Sequence, residues 1–199
     1  RVLNKIVLTL GLLLISVSMN AMSFPVNETV GDYRISFESS DNTIMVVKGW
    51  DLQKIDDFEI DNLPYEANIT EALGVGSIGI LDTSGSQSEL SGVGILHFDR
   101  SINTTQFEEN FIKNTSSDSF MRVRDLTIDG HKGIYIKSGN GPDDPQMKRL
   151  GLYWLGETVD GMANEMVLII GSMPSSGSDP GSESSMLKVL NTVHVENIS

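Results

Sequence analysis

Cysteine is absent from the 199 residues. That excludes disulfides, thiolate zinc sites, cysteine nucleophiles and iron–sulfur clusters. It also removes the residue to which a bacterial lipoprotein signal attaches its lipid. Histidine is scarce, with only His97, His131 and His194. A catalytic zinc site needs three protein ligands, and no stretch of the chain gathers them. Positive charge is short as well: 14 Lys and Arg stand against 27 Asp and Glu, a net charge of -13. Such a surface repels phosphate backbones and anionic headgroups, so neither nucleic acid nor an acidic lipid surface is an expected partner. Solubility alone accounts for the acidity, with cation binding as the alternative. No internal repeat or heptad array is present.

What the chain does have is a leader-like start. Arg1 and Lys5 precede an apolar run over residues 6–17, and small residues follow at Ser16, Ser18, Ala21 and Ser23. Cleavage after Ser18, Ala21 or Ser23 fits, and Ala21-Met22-Ser23 has the small-x-small form. The run is shorter than the ~20 residues that cross a bilayer, so cleavage is favoured over anchoring. Residues 1–23 therefore read as a signal peptide and residues 24–199 as a single domain with no stable transmembrane anchor. Loss of Arg1 and Lys5 takes the net charge from -13 to -15. A domain of this size buries a core without covalent staples. An exported domain without cysteine points to the outside of a bacterial or archaeal cytoplasmic membrane. N-x-Ser/Thr sequons make Asn27, Asn68, Asn103 and Asn114 candidate glycosylation acceptors, and Asn197 carries another.

Residues 31–38 alternate, with Tyr33, Ile35 and Phe37 on one face of a half-buried strand. Residues 43–48 read as its neighbour, with Asp41-Asn42 as the turn. Residues 49–73 are polar and read as loop plus a weak strand near Phe58 and Ile60. Residues 75–81 and 92–98 form a hairpin whose tip, 82–91, is Ser/Gly-rich. Phe107, Phe111 and Ile112 place a helix within residues 101–116, capped by Thr104 or Thr105, with Glu108 and Glu109 in its first turn. Asp129-Gly130 joins strands 121–129 and 131–137 in the strongest hairpin signal of the chain. Strands 150–157 and 162–171 meet around Asp160-Gly161, and the apolar run 166–170 belongs at the sheet centre. A second helix spans residues 182–190, capped by Ser182 or Ser184, before a closing strand at 193–195. Antiparallel strands with two helices give an α+β domain: a mainly antiparallel sheet covered by both helices. Phe37, Phe107, Phe111, Ile134, Ile136, Trp154, Val167, Ile169, Leu187 and Leu190 are its expected core.

Few groups offer chemistry. Gly74-Val75-Gly76-Ser77-Ile78-Gly79 matches the dinucleotide-binding spacing, but no helix follows it to meet a pyrophosphate. Glycines within a strand explain it better. His97 and Asp99 share a strand face, as metal ligands or an acid/base pair do. No serine elbow is present. Asp143-Asp144, in a Gly/Pro loop, lacks the spacing of an EF-hand loop. Trp50, Tyr153 and Trp154 are groove candidates, although Trp154 on an apolar strand reads as core. No catalytic residue, cofactor or metal ligand is therefore assigned.

Three features resemble the PsbP-like superfamily: the opening strand Tyr33-Arg34-Ile35-Ser36-Phe37, the hairpin over residues 128–136, and the ending. In the ending, strand 165–171 leads through a polar loop to helix 182–190 and Thr192-Val193-His194-Val195. The resemblance would cover residues 31–195 and fits poorly over 49–73. It implies an α/β/α sandwich with a binding or assembly role and no shared catalytic residues. The expected function is a secreted or cell-surface, non-enzymatic module for a protein or cell-envelope partner. The alternatives are an extracellular hydrolase assembled from His97, Asp99 and His131, and calcium-dependent adhesion through Asp143-Asp144.

Overall fold

The computed structural model describes residues 24–39, 44–48, 67–80, 88–115, 122–137, 146–174 and 180–199. Among them are ten strands and two helices: β1 (Phe24–Val30), β2 (Tyr33–Ser39), β3 (Ile44–Lys48), β4 (Ile69–Ile80), β5 (Ser88–Asn103), α1 (Thr104–Thr115), β6 (Arg122–Ile128), β7 (His131–Lys137), β8 (Gln146–Leu155), β9 (Met162–Pro174), α2 (Pro180–Thr192) and β10 (His194–Asn197). The strands form two separate sheets. One has seven strands in the order β3-β4-β5-β9-β8-β7-β6, and the other has three in the order β1-β2-β10. Every pairing is antiparallel.

Hairpin chemistry accounts for much of this order. Asp129 and Gly130 both take positive φ, 51° and 76°, the pair that a two-residue turn needs to match strand twist. The longer connection between β8 and β9 turns differently: the Gly161 N–H donates to the Thr158 carbonyl at 2.9 Å, and Gly161 takes φ 67° while Asp160 does not take a positive φ. The β4–β5 hairpin forms, but residues 88–91, expected in its tip, belong to β5 and pair with residues 77–80; its glycines face one another as Gly74↔Gly94 and Gly76↔Gly92. They lie within strands, so no phosphate-binding loop exists there. Strand β9, with its apolar run, sits between β5 and β8 inside the seven-stranded sheet.

The alternation within each strand divides the apolar residues into two cores. Odd-numbered positions of β4, β5, β8 and β9 (Leu73, Val75, Val93, Ile95, Tyr153, Val167 and Ile169) pack with Val26, Tyr33, Ile35 and Phe37 of the small sheet and with Met186, Val189 and Leu190 of α2. The even-numbered face (Leu96, Phe98, Leu152, Trp154, Met166 and Leu168) packs with Phe107 of α1. Gly151 and Gly171 leave room for α2, since a Cβ at either would meet Leu190 or Met186.

A sheet covered by two helices, and with it the α/β/α sandwich, is therefore not what forms. The architecture is mostly antiparallel β, and one face of the large sheet is covered chiefly by a second sheet. The reason lies in β2. Its apolar face stacks on another apolar face instead of joining that sheet's edge. Asp41-Asn42 accordingly does not join paired strands, because β2 pairs with β1 and β10 while β3 pairs with β4.

Other boundaries differ. Strand β1 was not expected, since Pro25 and its sparse apolar residues hide it, yet Val26 and Val30 are buried opposite Phe37 and Tyr33. Proline is tolerated there because β1 is one of the two outer strands of its sheet. Residues 69–73 belong to β4 rather than to a loop. Asn103, not a threonine, caps α1: its Oδ1 accepts the Gln106 N–H at 2.8 Å. The first turn of α1 holds no acidic residue, so Glu108 and Glu109 lie deeper in the helix. Helix α2 starts earlier than expected, at Pro180, whose fixed φ suits a first turn. Of the expected core, Phe111 and Leu187 are only partly buried, and the rest are buried. Trp50, Phe58, Ile60 and the tip of the β4–β5 hairpin lie outside the described residues. Among the described residues no helix is long and apolar enough to cross a membrane.

Candidate functional site

Two polar clusters join the small sheet to the large one. The first is built from β2, β5 and β9. Tyr33 donates its hydroxyl proton to Glu165 Oε2 at 2.7 Å, and His97 Nδ1 lies 3.3 Å from Glu165 Oε1. The Tyr33 and His97 rings are 5.9 Å apart. Register places Glu71, His97 and Glu165 in a row across β4, β5 and β9. Burial first, then the Glu165 carboxylate, pushes the Tyr33 phenol well above its ordinary range, so it keeps the proton it donates to Glu165. His97 Nε2 is buried and makes no hydrogen bond among the described residues.

The second cluster centres on Asp129. Its Oδ2 accepts the Tyr153 hydroxyl at 2.8 Å and the Val195 N–H at 3.0 Å, and its Oδ1 lies 2.7 Å from His194 Nδ1. The left-handed turn conformation aims this carboxylate back across the seam, where its side chain is 11% exposed. His131 stacks on the Tyr153 ring at 5.2 Å. Burial, and then the Asp129 charge, raises the Tyr153 phenol far above its usual range. His194 is the open member, its side chain 62% exposed. A carboxylate on Nδ1 fixes an imidazole and leaves Nε2 outward, the arrangement of a general base. Catalysis would also need a nucleophile or a cleft. Among the described residues no hydroxyl hydrogen-bonds His194.

The residues singled out by sequence are not brought together. His97 turns to Glu165, whereas Asp99 is held by the Asn68 backbone N–H at 3.2 Å and by Arg100 at 3.3 Å. Chiefly that backbone bond, with help from Arg100, holds the Asp99 carboxyl below its ordinary range. His131 lies on β7, three strands from β5 in the sheet order, a spacing of about 14 Å. Trp154 is core, in edge-to-face contact with Phe107 at 5.2 Å. Among the described residues no group of His, Asp and Glu is placed to hold a metal ion. Asp143 and Asp144 lie outside the described residues.

Sequence reasoning missed Asp129 as a functional group, along with Tyr33 and Glu165. Asp129 had a signal, the D-G turn, but its long-range partners had none.

On the far face Trp154 Nε1 donates to Glu108 Oε1 at 3.0 Å. Burial raises the Glu108 carboxyl above its ordinary range, against the lowering effects of this bond and of Lys132. A raised carboxyl stabilises the fold below its unfolded pKa, and that contribution is lost as pH rises through the folded value. Glu108→Gln keeps the acceptor without the charge. It is expected to unfold at or slightly above wild-type denaturant concentration at pH 7, with the gain vanishing near pH 4. Guanidinium midpoints at both values check this, and a loss at pH 7 would contradict it.

No protein-family model matches this chain, and no curated protein sequence matches it.

Proposed function

We propose that this chain is an exported, non-enzymatic accessory module that binds a protein or cell-envelope partner outside a prokaryotic cytoplasmic membrane. The observation that carries this reading is the engagement of Asp129. Both of its oxygens hold the seam between the sheets, through Tyr153, Val195 and His194. The carboxylate best placed for chemistry is thus spent on structure, as Glu165 is in the other cluster. The leader-like start and the acidic, cysteine-free body support the compartment. A negative surface also suits a partner bearing basic groups.

Titration of the purified chain, freed of residues 1–23, against washed cell envelopes tests this proposal. Saturable binding without release of soluble fragments is the expected result. Binding that a chelator abolishes would favour calcium adhesion through Asp143-Asp144 instead. Absence of saturable binding with and without calcium would leave the proposal unsupported. A hydrolytic reading has one observation in its favour, the exposed His194 on Asp129.

A further inference from the structure

We propose that Asn27 is the site at which this protein carries an N-linked glycan; the inference rests on the extracytoplasmic reading above. The argument comes from comparing the sequons in the fold. Asn68 already uses its carboxamide nitrogen, which donates to Asp99 Oδ2 at 3.5 Å, and its backbone is tied to Asp99 on both sides. Asn103 is half-buried, and its Oδ1 caps α1. Asn114 sits inside the last turn of α1. Asn197 binds both the N–H and the hydroxyl of Ser199 through its Oδ1, at the very end of the chain given.

Asn27 lies on β1, an outer strand of the three-stranded sheet, and is exposed; unlike Asn68, Asn103 and Asn197, its side chain is not engaged in a hydrogen bond among the described residues. Thr29, the hydroxyl residue of the same sequon, is exposed two positions on and so projects from the same face. Substitution of the Asn27 carboxamide therefore breaks no hydrogen bond among the described residues. Asn27 is also the first acceptor in chain order, and would emerge from a translocating membrane before β2 and β10 exist to pair with it. Once the sheet forms, Asn27, Ser36 and His194 stand in one row across its outer face. A glycan there rests over a polar surface and leaves both cores untouched.

The donor, by chemical class, is a glycan linked to a membrane lipid through phosphate. The sugar C1–O bond to phosphate breaks and a C1–N bond to Asn27 Nδ2 forms. One amide proton passes to the departing lipid phosphate.

The test is peptide mass spectrometry of the full chain, leader included, secreted from a host that transfers N-linked glycans. Trypsin cuts after Lys5 and Arg34, so one peptide reports both events. If residues 1–23 are removed, it spans 24–34; if they are retained, it spans 6–34. Most of peptide 24–34 is expected to carry a glycan mass. Asn27→Gln and Thr29→Val should each abolish that mass, and Thr29→Ser should keep it. A bare 24–34 peptide overturns the assignment while leaving export intact, whether or not Asn68 or Asn103 is modified. A bare 6–34 peptide overturns export and the assignment together.

Discussion

Asp129→Ala is expected to cost about 3–5 kcal/mol, among the largest losses available to one substitution in this chain. Alanine would strand the buried Tyr153 hydroxyl and the Val195 N–H, each worth about 1–3 kcal/mol when left unsatisfied. It would also occupy a left-handed backbone, φ 51°, at further cost. Asparagine tolerates that backbone and keeps one acceptor oxygen, so Asp129→Asn should lose about half as much. Urea unfolding of both variants at pH 7 checks the pair. An alanine variant within about 1 kcal/mol of wild type would mean that the seam does not depend on this carboxylate.

Gly133→Ala should cost about 3 kcal/mol through overpacking. A Cβ there would lie 2.7 Å from the Leu152 carbonyl oxygen and 3.0 Å from Ile128 Cδ1. The carbonyl cannot retreat, since β8 is hydrogen-bonded to β7 on one side and β9 on the other. Gly156 provides the contrast. It has φ +62° and nothing within 4 Å of an added Cβ, so alanine there should cost only the left-handed penalty of about 1 kcal/mol. Equal losses at the two positions, in the same unfolding assay, would show that close approach at Gly133 is unimportant.

The hairpins were legible because their chemistry is local. Asp129-Gly130 and Asp160-Gly161 announce their turns, and the alternation around them sets the register. The run at residues 166–170 likewise announced a strand buried on both faces. What was not legible depended on which apolar face meets which. Tyr33, Ile35 and Phe37 mark a half-buried strand equally well whether it joins a large sheet or stacks on one. Nothing local separates those outcomes, and the one-sheet expectation failed there. Strand β1 was hidden for a different reason: an outer strand needs few apolar residues, and Pro25 argues against a central one. The polar seam was the least visible part. Tyr33 and Glu165 are 132 positions apart, and Asp129 and Val195 are 66 apart, so their bonds exist only once both sheets have formed. His97 and Asp99 looked like a pair because strand parity placed them on one face, but their partners lie in different directions.

We propose that these clusters hold the sheets together and that the protein acts by binding a partner rather than by turning over a substrate. The most direct test compares wild type with His194→Gln in two assays on the same washed envelopes, equilibrium binding and release of soluble fragments. The expected result is saturable binding, changed less than about threefold by the substitution, and no release by either protein. Release of fragments by wild type that falls at least a hundredfold in His194→Gln, with no saturable binding, would contradict the account.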